Sequence, residues 1–189
     1  VSPPARIISR RPVYDGWYRF FRLEVAMPDG AVVERHLLDN GSAAAVLPYD
    51  PVRRVALLIT QPRAPVIAAG EPPLLEAIAG NLDEMAPDDR IREEAMEEGG
   101  VKLSHLQPLT NIWSLAPVSS ERIQLYLAEY SLADRTASGG GAPSEHENIS
   151  VFEIALQDLA MMQQSGTLTD AKTLILVQTL MLREPQLFV

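Results

Sequence analysis

The stretch that most constrains this chain covers residues 74–101, LLEAIAGNLDEMAPDDRIREEAMEEGGV, where an apolar segment, a glycine turn and an acid-rich segment follow one another directly. Residues 74–79 are apolar apart from Glu76 and short enough for a buried strand. Gly80 opens a polar turn. Pro87, Asp88 and Asp89 then suit a helix start, because proline fits the first turn and acids complement the positive end of the helix dipole. The helix is expected over residues 88–98, and Gly99-Gly100 stops it by supplying a left-handed cap.

On that helix, with Glu94 at 0°, Glu98 falls at about 40°, Ile91 at about 60° and Ala95 at about 100°. Glu94 and Glu98 therefore border the apolar edge, whereas Glu97, at about 300°, lies to the other side. A like-charge pair four residues apart costs a helix roughly 0.2–0.5 kcal/mol. A charge run is commonly a solvated face, but carboxylates beside an apolar edge call for an offsetting cation. A hard divalent ion that takes carboxylate oxygens and bridges them to phosphate is the natural candidate.

The segment resembles the signature of the Nudix hydrolases: glycine, five residues, glutamate, seven residues, then Arg-Glu-apolar-x-Glu-Glu-x-Gly-apolar. Gly80, Glu94, Ala95, Glu97, Glu98, Gly100 and Val101 match it. Three departures are visible: Ala86 stands for the first glutamate, Glu93 for the arginine, and the spacer is one residue short. The replaced glutamate and arginine usually pair with each other in the family, so losing both strands neither, and Arg92 is the neighbour expected to compensate Glu93. The short spacer is similar to that of the ADP-ribose and GDP-mannose pyrophosphatase branch.

That branch implies an α/β fold, a Nudix-type α/β/α sandwich with a mixed sheet and an N-terminal antiparallel β lobe, divided here as residues 1–40 and 41–189. The order of residues agrees. Strands are expected at 7–13, 18–27 and 31–38, with a Pro28-Asp29-Gly30 turn, then at 43–48 and 55–61. Asp29-Gly30-x-Val32, Arg35-His36 and Leu47-Pro48-Tyr49-Asp50 also resemble the branch, whose lobe commonly packs or swaps across a homodimer. Alternation on the hairpin accounts for Trp17, Tyr18 and Phe20 as packing residues. Residues 64–73 read as a proline-rich loop, 106–113 and 123–129 as strands, 149–154 as a strand, and 155–164 and 170–182 as helices.

Several further site residues follow from the resemblance. Arg63, closing the fifth strand, matches an arginine of the family's Arg-Gln-aromatic-Arg run and would steady the diphosphate through its planar fork. Ser120-Glu121 matches a family loop, which makes Glu121 a substrate contact. Glu145 and Glu147 match a Glu-x-Glu pair on a mobile loop, Glu145 as general base and Glu147 as metal ligand. Glu94, Glu98 and the Ala79 carbonyl complete the site for Mg²⁺ or Mn²⁺, and Glu97 supports it from the same helix. The glycine run 139–141 reads as a flexible loop, with no following lysine or helix start to make it a phosphate cradle.

Composition bounds the remainder. A net charge of −9 argues against nonspecific binding to nucleic acid or an anionic membrane. There is no cysteine, so neither disulfide nor thiolate chemistry is available, and a reducing cytoplasm fits. No apolar run reaches the ~18 residues that span a bilayer, and no signal-peptide core opens the chain, which starts at Val1 without methionine and leaves an earlier segment open. The activity that the resemblance implies is metal-dependent hydrolysis of the pyrophosphate bond of a nucleoside diphosphate sugar, giving a nucleoside monophosphate and a sugar phosphate, by a homodimer. The alternative, favoured by Ala86 and Glu93, is a Nudix-fold sensor that binds a nucleotide without cleaving it.

Overall fold

The computed structural model describes residues 3–142, 144 and 146–189. The chain divides into two compact units: residues up to Ser42 with Trp113–Ile123, and Ala43–Ile112 with Gln124–Val189. The first unit is a three-stranded antiparallel sheet in the order β1-β2-β3, with β1 Arg6–Asp15, β2 Arg19–Ala26 and β3 Val32–Asp39. A turn at Pro28 to Gly30 joins the last two strands, and alternation of Phe21 and Leu23 gives the sheet its buried face. The segment 113–123 joins this unit because Leu38 and Ser119 form a bridge and Ser120 N–H donates to the Leu38 carbonyl. Trp17 lies in the bend before β2 and is 88% exposed, so the packing role expected of it is not met among the described residues.

The second unit carries the six-stranded mixed sheet. Its strands are β4 Ser42–Asp50, β5 Val55–Thr60, β6 Ile78–Asn81, β7 Gln107–Trp113, β8 Arg122–Glu129 and β9 Ser150–Ala155, in the order β7-β8-β4-β5-β9 with β6 on β4. The helices are α1 Ala64–Ala68, α2 Pro87–Glu97, α3 Leu156–Ser165 and α4 Ala171–Arg183. Residues 64–73 thus begin with a short helix rather than continuous loop, its start fixed by Pro65 near the N-terminal position.

Eight of the nine residues of β4 are buried, which requires cover on both faces of the sheet. One face packs Ala44, Val46, Leu57, Ile59, Ile78 and Tyr126 against Ile91 and Ala95 of α2. The alternate residues Ala45, Leu47, Ala56 and Leu58 are equally buried, and the stripes Leu156, Leu159 on α3 and Leu176, Leu180 on α4 supply fully buried apolar surface.

The expected strand over residues 74–79 is displaced to Ile78–Asn81, for a topological reason. β4 and β5 pair only at Tyr49 and Asp50 against Ala56 and Val55, then splay apart. The segment enters the gap: Glu76 exchanges both backbone hydrogen bonds with Ile59 of β5, at 2.8 and 2.9 Å, and residues 78–81 then pair with β4 from Val46 to Ala43. The chain changes partner between Glu76 and Ile78, so only the second half forms a ladder.

Candidate active site

This wedge delivers Ala79 and Gly80 to the base of α2. A Cβ built on Gly80 would overlap the Glu94 carboxylate, so only glycine lets that side chain lie across the turn. Glu94 is 6% and Glu98 2% exposed, whereas Glu97 is exposed. The helical positions deduced for these three residues agree with that burial. Glu98 accepts a hydrogen bond from the Ala79 N–H at 3.2 Å. Burial, and then repulsion from Glu94 and Glu147, push its carboxyl up to about 8, against the pull of the Ala79 N–H and Arg63.

The glycine run is not a free loop. Gly140 N–H donates to the Glu98 carbonyl at 2.9 Å and Gly141 N–H to the Glu97 carbonyl at 3.0 Å, closing the C-terminal end of α2. Gly139 has φ +70, and a side chain there would collide with the Glu98 carbonyl. The loop is thereby held against the acidic helix, and Glu147, beside Gly141, comes within electrostatic range of Glu98. Glu145 lies outside the described residues.

Arg63 turns Nε and Nη2 to the two oxygens of Glu76, both at 3.0 Å, and its side chain is 41% exposed. Glu76 is 3% exposed and also receives Lys172 Nζ at 2.6 Å. Lys172 reaches Asp170 at 3.0 Å. Asp170 caps α4 by accepting from the Thr173 N–H, and the Thr173 hydroxyl accepts from the Ala77 N–H at 2.6 Å. Burial alone would raise the Glu76 carboxyl, but Arg63 and Lys172 hold it below the ordinary carboxylate value. Nothing in the apolar reading of residues 74–79 announced this network. Its signals were the lone acid in an apolar run and the Asp170-Ala171-Lys172-Thr173 run at a helix start.

Glu121 belongs to the three-stranded unit, where its carboxylate accepts from Asn40 Nδ2 at 3.1 Å and its N–H donates to Ser119 Oγ at 3.0 Å. Compensation of Glu93 comes from Arg90, at 3.3 Å, rather than from Arg92, which donates to the Leu103 carbonyl. Three residues along a helix place Arg90 on the face of Glu93, whereas adjacent residues point apart. Arg90 also meets Glu94 Oε1 at 2.5 Å.

The donor set fits a hard divalent cation. Glu94, Glu98 and Glu147 offer only carboxylate oxygens, and burial and like-charge repulsion disfavour the charged form of Glu98, a cost that a cation would offset. Among the described residues, no three acidic, imidazole or thiolate side chains already stand in a ligating arrangement.

Comparison with known proteins agrees with this construction. No family model matches the chain. It is 31% identical to a GDP-mannose pyrophosphatase of Pectobacterium atrosepticum across 97% of both chains. With the GDP-mannose pyrophosphatase of Cronobacter sakazakii it shares 36% identity across 85% of each. The crystal structure of an ADP compounds hydrolase superposes on all of this chain and 99% of its own, with a TM-score of 0.73 at 17% identity, a likeness of fold. The chain belongs to the Nudix hydrolase family, in the branch of the ADP-ribose and GDP-mannose pyrophosphatases.

Proposed function

We propose that this chain hydrolyses the pyrophosphate bond of a nucleoside diphosphate sugar, of the GDP-mannose or ADP-ribose type, releasing a nucleoside monophosphate and a sugar phosphate with Mg²⁺ or Mn²⁺ as cofactor. The observation that carries this reading is the joint burial of Glu94 and Glu98 at the foot of β6, with Glu147 held in electrostatic range by the glycine loop. Those carboxylates and the Ala79 carbonyl are the groups that would hold metal. A bound divalent cation supplies charge neutralisation at the diphosphate and a lowered pKa for the attacking water.

The protein's own part is positioning. Gly80 lets Glu94 lie across the turn, the Ala79 N–H orients Glu98, and the glycine brace fixes the loop relative to α2. Arg63, held flat by Glu76, is proposed to present its exposed side to the diphosphate. Glu145 as general base and Glu121 as substrate contact are proposed on the family resemblance, and Glu97 as support to the metal-holding pair. The relatives' names support the substrate class.

A homodimer is part of the same proposal. Ile7, Val13 and Tyr14 on the β1 edge, with Trp17 beside it, are exposed apolar side chains of the kind a partner covers. Cytoplasmic residence is proposed on the lack of cysteine, and no helix among the described residues is long and apolar enough to cross a membrane. The deciding assay is formation of nucleoside monophosphate from GDP-mannose, ADP-ribose and a dinucleotide panel, with and without Mg²⁺. Turnover that needs metal supports the reading. Tight, metal-independent binding without turnover supports the sensor instead. Light scattering of the purified chain tests the dimer.

A further inference from the structure

Arg90 is poorly placed to stabilise its helix. It lies in the first turns of α2, where the dipole disfavours a cation, and it precedes Glu94 by four residues, the weaker order for such a pair. Its Nε is buried without a hydrogen-bond partner, a further cost. Yet its guanidinium spans two carboxylates, Glu94 Oε1 at 2.5 Å and Glu93 Oε2 at 3.3 Å, and its side chain is only 21% exposed. What those costs obtain is neutralisation of an acidic cluster.

We propose that Arg90 is a resident counter-ion of the acidic site, pairing with Glu94 when no divalent cation is bound and yielding Glu94 to the cation while retaining Glu93. This rests on the metal-site reading above. It also gives the sequence departures a common logic. With Ala86 in place of a glutamate, the acids left in the first turn of α2 are Asp88 and Asp89, and Asp88 receives the Tyr126 hydroxyl. Glu93 and Arg90 instead provide a charge pair within the helix, one member of which can switch between neighbours. A cation that takes Glu94 Oε1 must displace this guanidinium, so Arg90 lowers the affinity of the site for metal.

The test is Mn²⁺ binding to the full chain by titration calorimetry, for the wild type, Arg90→Gln, Glu98→Gln and the double variant. The expected result is a Kd tighter by about threefold to tenfold in Arg90→Gln, the scale of a partly buried ion pair, with binding lost whenever Glu98 is replaced. A Kd unchanged or weaker in folded Arg90→Gln overturns the counter-ion role, while sensitivity to Glu98→Gln leaves the metal site standing. Binding indifferent to Glu98→Gln overturns the metal site and the counter-ion with it. If Arg90→Gln does not fold, the wild type decides: saturating Mg²⁺ is expected to shift the Arg90 Nε–H resonance and speed its exchange with water. A resonance unmoved by Mg²⁺ overturns the proposal.

Discussion

Glu76 lies within the strand-to-turn wedge and Glu98 meets it through the Ala79 N–H; they are 3% and 2% exposed, and their electrostatics are opposite. Glu76 has a bidentate arginine and a lysine, and its carboxyl is held below the ordinary value. Glu98 has one backbone N–H, a lesser pull from Arg63 and two carboxylate neighbours, and its carboxyl rises to about 8. Equal burial therefore says nothing about role. The supply of positive charge separates them: the first carboxylate is completed by the fold, and the second is the one proposed to take a cation.

The contrast breaks most sharply at Glu76. Glu76→Gln strips Lys172 and Arg63 of their shared partner and is expected to cost about 3 kcal/mol, the lower end for breaking a buried pair, because Arg63 is 41% exposed and its share is screened. Chemical denaturation measures it. The pH dependence has a definite sign. A carboxyl lowered by folding stabilises above its unfolded value of 4.5, and that contribution disappears as pH falls through the lowered folded value. The variant should therefore show a shallower acid limb than the wild type. Equal limbs would mean that the Arg63 and Lys172 contacts do not hold the charge.

Glu98→Gln should do the reverse. Removing a repelled, buried carboxylate leaves the metal-free chain no less stable, while kcat falls by at least about 10²-fold, as when one preorganised electrostatic group is lost. Saturating Mg²⁺ should raise Tm in the wild type and not in the variant. A variant that is both destabilised and active would place Glu98 with Glu76 as a structural carboxylate.

How much of this was legible depended on the range of the forces involved. The α2 helix, its proline start and its buried acidic edge follow from spacing and composition within a dozen residues, and they agree with the structure to within one residue at each end. Glu76 was visible as a lone acid, but its partners lie 13 and 96 residues away, a distance that periodicity does not span. The displaced β6 has the same origin, since the splaying of β4 from β5 is a tertiary event. The glycine run looked flexible because its hydrogen-bond partners, the Glu97 and Glu98 carbonyls, belong to a helix end some forty residues earlier.

The smallest expected effect comes from Glu97, which tests whether burial on α2 grades the acids by role. Glu97 is exposed, and its carbonyl accepts from the Gly141 N–H. A glutamine side chain keeps that backbone bond, so Glu97→Gln should leave stability within about 0.5 kcal/mol, as for surface substitutions away from special features. Its effect on kcat should stay near tenfold, the lower end for groups that orient metal ligands from outside. Turnover measured beside Glu98→Gln gives the ratio directly. A loss at Glu97 equal to that at Glu98 would mean that solvent-facing charge contributes as much as buried charge, and the division between the two sides of the helix would fail.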